Sequence, residues 1–165
     1  MEEKGYEFNS ATCEGAAFGG HLDVLKWVRS QDPPCPWYEE TCAMAAQNGH
    51  LDVLKWLRSQ DPPCPCGEWT CAFAAKGGHL DVLKWLRDQD PPCPWDGWTC
   101  QEAADGGHLE VLKWLRAQNP PCPWSRIDCR AEASMHGHEH IVDWIDQQED
   151  GSDVEPFDED SFYDE

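Results

Sequence analysis

Leu80, Val82, Leu83, Trp85 and Leu86 put apolar side chains on one broad face at helical spacing, while Asp81, Lys84 and Asp88 take the opposite face. That pattern predicts an amphipathic helix. Just upstream, Cys71, Ala74 and Ala75 form a narrower stripe at i, i+3 and i+4, and Cys13/Ala16/Ala17, Cys42/Ala45/Ala46 and Cys100/Ala103/Ala104 repeat it. A short first helix with a thin seam of small residues follows. Gly77-Gly78-His79 breaks the pattern between the two, because glycine readily takes the left-handed geometry that ends a helix. The second helix then meets DPPCPW or a near variant. Proline donates no backbone hydrogen bond and biases the preceding residue toward extended geometry, so the helix stops and a stiff connector begins.

The pattern is periodic. His21, His50, His79 and His108 follow one another at 29 residues, as do Trp27, Trp56, Trp85 and Trp114; His138 and Trp144 arrive after 30. Five helix-turn-helix units are expected, near 8–36, 37–65, 66–94, 95–123 and 124–147, forming one repeat domain over residues 8–147 behind a short extension at 1–7. Internal periods of 20 to 50 residues mark stacked arrays, and helices shorter than about 12 residues are marginal alone, so neighbouring units must hold one another.

Composition narrows the partners. Twelve Lys+Arg against thirty-two Asp+Glu give a net charge of −20, which repels phosphate backbones and anionic lipid headgroups; neither nucleic acid nor a membrane is an expected partner. The start MEEKGYEFNS lacks a signal peptide's apolar run, and no stretch approaches a membrane span, so a cytoplasmic or nuclear, reducing location is expected. Phe8-Asn9-Ser10 in the first unit and Arg126, Arg130 and His136 in the last read as polar caps, and the expectation is a complete, monomeric protein.

Thr70 to Leu86, T-C-A-x-A-A-x-x-G-H-L-D-V-L-K-W-L, resembles the ankyrin repeat in a divergent form, and the resemblance runs from about Phe8 to Trp144. The unit is 29 residues long where the family's is about 33, the T-P-L-H tetrapeptide is absent, and a proline-rich connector replaces the usual hairpin finger. The resemblance implies an all-α, ankyrin-like solenoid with short Pro-rich connectors, whose first helices line a concave surface. It also implies a protein-binding role with no catalytic residues and no cofactor.

Ten cysteines invite a metal or redox reading, with Cys64, Cys66 and Cys71 the densest group. A structural zinc site wants four ligands, His79 lies roughly 12 Å beyond Cys71, and Cys66 merely replaces the tryptophan found at Trp37, Trp95 and Trp124. Packed helices lie about 8 to 10 Å apart, beyond the roughly 7 Å a disulfide tolerates, so Cys35, Cys64, Cys93 and Cys122 are not expected to link unit to unit. A bridge from a connector cysteine to the helix cysteine seven residues on, such as Cys93 to Cys100, stays open. A Cys-rich metal-binding or redox-responsive protein is therefore the alternative function. The Gly-His histidines read as structural, with no nucleophile and carboxylate orienter recurring beside them. His136, His138 and His140 read as a solvated cap, so no metal site is expected. The second-helix tryptophans read as core.

The copies also compare themselves. Second helices are nearly verbatim, whereas variation gathers around the first helix, and Trp69 and Trp98 stand where other units hold Ala11, Glu40 and Ile127. With the concave surface that the resemblance implies, the expected contact residues are Tyr38, Glu39, Glu40, Met44, Glu68, Trp69, Phe73, Lys76, Trp98, Gln101, Glu102 and Asp105. Exposed aromatics among carboxylates suit a protein or peptide with basic and apolar features. The final stretch, 148–165, is strongly acidic and expected to be a disordered, solubilising tail.

Overall fold

A computed structural model of the chain describes residues 8–148. The expected extension at 1–7, and the expected tail apart from Gln148, lie outside the described residues. Ten helices follow in pairs: α1 Ser10–Phe18 and α2 Leu22–Arg29; α3 Glu39–Gln47 and α4 Leu51–Arg58; α5 Glu68–Lys76 and α6 Leu80–Arg87; α7 Gly97–Asp105 and α8 Leu109–Arg116; α9 Arg126–Met135 and α10 Glu139–Asp146. No strand occurs among the described residues. The all-α repeat solenoid is the observed architecture.

Each first helix starts at a residue the backbone holds extended. The N–H groups of Tyr38, Gly67 and Asp96 donate to the hydroxyls of Thr41, Thr70 and Thr99 at 3.3–3.5 Å, and these threonines are buried. The recurring threonine is thus an internal cap at the helix start. At the other end the glycine before each histidine takes φ between +70° and +79°. The histidine N–H reaches back to the helix, for example His79 to Ala74 at 3.0 Å, closing the turn as left-handed caps do.

Histidine also ties unit to unit. The ring Nε2–H of His50 donates to the Phe18 carbonyl at 3.0 Å, that of His79 to Gln47 at 3.1 Å and that of His138 to Asp105 at 2.9 Å, while the ring of His108 bonds the Lys76 backbone. Every acceptor is the last residue of the preceding unit's first helix, where carbonyls have no partner within the helix. The ring of each histidine lies over the left-handed glycine of the unit before, so that a Cβ on Gly78 would fall 2.5–2.8 Å from His108.

The connectors are held as firmly. The Cys64 N–H donates to Leu57 at 3.0 Å, its carbonyl accepts from Arg58 Nη1 at 2.7 Å, and Gln60 Nε2 caps Trp56 at 3.0 Å. The equivalent bonds recur around Cys35, Cys93 and Cys122. The Arg29, Arg87 and Arg116 guanidiniums also lie 3.8, 3.9 and 4.6 Å over the rings of Trp37, Trp95 and Trp124 in the following unit. Cys66 leaves Arg58 without such a ring.

The core is aliphatic. Val53, Leu54 and Leu57, their equivalents in the other second helices except Val24 of the first unit, which is exposed, and the Cys/Ala seams of the first helices are buried in one continuous cluster. Each fully buried Leu or Val contributes roughly 1.5–3 kcal/mol. The second-helix tryptophans are not core as expected: they are half-buried at its rim, and Trp27 is 55% exposed. Four of the five meet an aromatic at the head of their own unit, Phe8–Trp27 at 5.2 Å, Trp37–Trp56 at 5.9 Å, Trp95–Trp114 and Trp124–Trp144 at 6.0 Å, while the unit of Trp85 has Cys66 there. Valine and leucine already fill the space between helices, so the larger ring covers the connector.

First helices pack side by side in the order α1, α3, α5, α7, α9, and each second helix packs on the first helix of its own unit. Small seams allow the close inner row, and the bulkier second helices form the outer one. Gly78→Ala and Gly137→Ala test the histidine tie. Both place a side chain at positive φ, a strain of about 1–3 kcal/mol, but only Gly78 has a ring above it; nothing lies within 4 Å of a Cβ at Gly137. Denaturant unfolding is expected to show the larger loss for Gly78→Ala by at least about 1 kcal/mol, and equal losses would contradict the ring placement.

Candidate functional site

Trp69, on the exposed side of α5, is 51% exposed and packs edge-on against Trp98 of α7 at 4.5 Å and Phe73 at 5.9 Å. Beside it a cavity of about 270 Å³ opens between α3 and α5, lined by Glu39, Glu40, Ala43, Met44, Trp69 and Phe73. Alanine at position 43 gives the cavity its floor; the third unit keeps alanine at the matching Ala72, whereas glutamine and arginine stand there in the fourth and fifth units, Gln101 and Arg130. Glu39 Oε1 is shielded from solvent and has no hydrogen-bond partner. Its carboxylate fills the space a side chain at Gly67 would occupy, next to the α5 N-terminus, whose dipole favours negative charge. A shallower depression of about 620 Å³ continues toward α1, edged by Glu14, Glu39, Glu40 and Tyr38, which is 56% exposed. Six expected contact residues therefore meet on one surface: Tyr38, Glu39, Glu40, Met44, Trp69 and Phe73, with Trp98 against its edge.

The others are placed differently. Glu68 is exposed on α5, and Gln101 is half-buried on α7. Lys76 pairs with Glu102 Oε2 at 2.8 Å and Asp105 Oδ2 at 2.5 Å, and Asp105 Oδ1 meets His136 Nδ1 at 2.8 Å. Asp105, then Glu102, pushes the Lys76 ammonium above its ordinary pKa. This network crosses α5, α7 and α9 and leaves Glu102 nearly buried, so these three charges answer one another. Sequence spacing gives the 26- and 29-residue offsets of Glu102 and Asp105 from Lys76, but not that the side chains close on each other.

The cysteines do not gather into a ligand set. Cys64 packs with Cys42 and Cys71 with Cys93, so the dense group of the third unit is split between two pairs. Cys66 touches Cys93, and that contact, with burial, pushes its thiol pKa up. Cys93 does not pair with Cys100: the connector folds back beneath the first helix of its own unit, 22 residues earlier, and Cys100 meets Cys122 instead. The signal was legible as four Cys–Cys intervals of 22, which the shorter interval of seven masked. Burial holds Cys129 up to about 12.

Among the described residues, the one group of three that could hold a metal ion is Asp105, Glu132 and His136, with ligand atoms within 4.8 Å of one another. Lys76 already occupies Asp105, and the His136 Nδ1–H is shared between Asp105 and the Glu132 carbonyl at 3.1 Å. His138 and His140 are bonded to the Asp105 and Gly107 carbonyls.

Residues 42–126, just over half of the chain, match the family model for ankyrin repeats in three copies, and the chain belongs to that family. No curated protein matches it. Ankyrin repeats generally mediate protein–protein interaction and are typically without enzymatic activity. No helix of the described residues is long and apolar enough to cross a membrane.

The histidine tie carries a pH dependence. Burial, joined by the neighbouring His79 and His138, lowers the His108 pKa below its ordinary 6.5, against the opposing pull of the Lys76 carbonyl. The folded chain therefore favours neutral His108; that stability is complete above pH 6.5 and is lost as pH falls toward the depressed value. Thermal unfolding between about pH 7.5 and pH 5.5 is expected to show a steeper acid loss for the native chain than for His108→Gln, whose amide still donates to Lys76. Parallel losses would contradict it.

Proposed function

We propose that the protein is a non-enzymatic scaffold or adaptor, working as a monomer in the cytoplasm or nucleus, that binds a protein or peptide segment across its row of first helices. The segment carries basic and apolar side chains. One observation carries this reading: the Trp69–Trp98–Phe73 cluster stands half-exposed beside a cavity walled by Glu39 and Glu40, with one carboxylate oxygen shielded and unpaired. Ordinary core packing needs none of these side chains, since the aliphatic cluster is complete without them. An ammonium or guanidinium from a partner would pair with the Glu39 and Glu40 carboxylates where they line the cavity and stack on the indole, and flanking apolar side chains would cover the rings. The net charge of −20 draws such a segment in from a distance and disfavours nucleic acid.

Selection from a random displayed-peptide library tests this. Enriched peptides are expected to combine Lys or Arg with aromatic or aliphatic residues. Trp69→Ala should weaken them by about 30-fold, the scale of a binding hot spot, with the chain still folded and cooperative in thermal unfolding despite the lost contacts to Trp98 and Phe73. Glu39→Gln with Glu40→Gln should weaken basic peptides more than Glu68→Gln does. Acidic consensus peptides, or binding indifferent to Trp69→Ala, would overturn the reading.

A further inference from the structure

In each of the four units that run into a connector, a first-helix cysteine and a connector cysteine lie side by side, always 22 residues apart. The Cys13 and Cys35 sulfurs are 2.7 Å from each other, and the thiols of Cys42 and Cys64, Cys71 and Cys93, and Cys100 and Cys122 are likewise in hydrogen-bonding contact. All eight are 0–1% exposed. The connector member of each pair is fixed on three sides: its N–H and carbonyl bond the second helix, and its S–H donates to the carbonyl before the first helix, at Asn9, Tyr38, Gly67 or Asp96, over 3.2–3.4 Å. Packing alone needs a small apolar residue at these places; it does not need sulfur facing sulfur four times.

We propose that these pairs are disulfide-forming sites: with a small-molecule disulfide such as oxidised glutathione as the oxidant, the chain closes Cys13–Cys35, Cys42–Cys64, Cys71–Cys93 and Cys100–Cys122, leaving Cys66 and Cys129 as thiols. At each site one protein thiolate attacks the glutathione disulfide, forming a mixed disulfide and releasing one glutathione. The partner thiolate then displaces the second. Two protein thiols are oxidised, one S–S bond forms, the glutathione S–S bond breaks, and both protons end on the two glutathione thiols. Every bridge encloses its own second helix and fastens the connector to the first helix, so the oxidised stack is clamped unit by unit with no link between units. Burial raises the Cys13 thiol's pKa, and the Cys64 and Cys122 contacts followed by burial raise those of Cys42 and Cys100. The attacking species is the thiolate, so the folded, reduced chain reacts slowly and the bridges form as the chain folds under an excess of the oxidised glutathione; in a reducing compartment the same pairs stay as thiols.

The full-length native chain is unfolded under reducing conditions and refolded in buffers containing either reduced glutathione alone or an excess of the oxidised form. It is then alkylated and mapped by mass spectrometry without reduction. Oxidative refolding is expected to leave two alkylatable thiols, at Cys66 and Cys129, with the four 22-residue bridges in the peptide map. Loop closure of this length should raise the midpoint of thermal unfolding by more than about 10 °C over the reduced chain. Ten free thiols after oxidative refolding, bridges between adjacent units, or an unchanged midpoint would each overturn the proposal. A Cys66–Cys93 bridge would overturn it for the third unit.

Discussion

The close approach of one first helix to the next is the constraint on which the remaining structure depends. Helices of eight to ten residues are too short to persist in water, and each unit has only a few large aliphatic side chains to bury. Cys and Ala at i, i+3 and i+4 in α1, α3, α5 and α7, and Cys129 with Ala133 in α9, let the first helices stand side by side, which closes the aliphatic cluster of the second helices from above. Larger residues in those seams would separate the row, and the buried leucines would face water. The histidine rings and the Arg–Trp contacts then fix the spacing, because each joins a side chain of one unit to the backbone or ring of its neighbour.

Division of labour follows from that constraint. One side of each first helix packs in the seam, the second helix supplies the bulk, and the outer side of the first helix has no packing duty. It is there that the copies differ, and there that Trp69, Phe73, Met44, Glu39 and Glu40 come together. A binding surface assembled from neighbouring units is the natural product of such a scaffold: each unit contributes two or three side chains, and the rigid spacing of the stack determines their geometry. The unpaired Glu39 oxygen and the self-paired Lys76, Glu102 and Asp105 show how differently charges on one face can be used.

Periodicity made the helices, turns and stops legible, since helix boundaries here are set by local chemistry: glycine at positive φ, proline in the connector, small residues at i, i+3 and i+4. What lay beyond local chemistry was less legible. A broad apolar face does not tell core from rim, so the second-helix tryptophans read as core although valine and leucine fill it and the rings cover connectors. The Gly-His histidines read as structural, but their acceptors are backbone carbonyls of the preceding unit, and carbonyls leave no trace in a residue pattern. The return of each connector beneath its own first helix pairs Cys71 with Cys93, a relation that depends on the path of the chain. At the surface, Trp69, Phe73, Glu39 and Glu40 could be singled out by comparing copies. The cavity they share with Ala43 required the structure, because an alanine is conspicuous only by the room it leaves.

Interchangeable, mutually supporting units are the central claim, and deleting residues 66–94 tests it most directly. The cut removes one whole unit in register: Trp95 then follows the Cys64-Pro65 connector, and the His108 ring meets the Gln47 carbonyl in place of Lys76. Thermal unfolding followed by circular dichroism is predicted to show a four-unit chain that is still helical and melts cooperatively, at a lower midpoint than the native chain. A non-cooperative melt, or loss of helix at room temperature, would contradict the account.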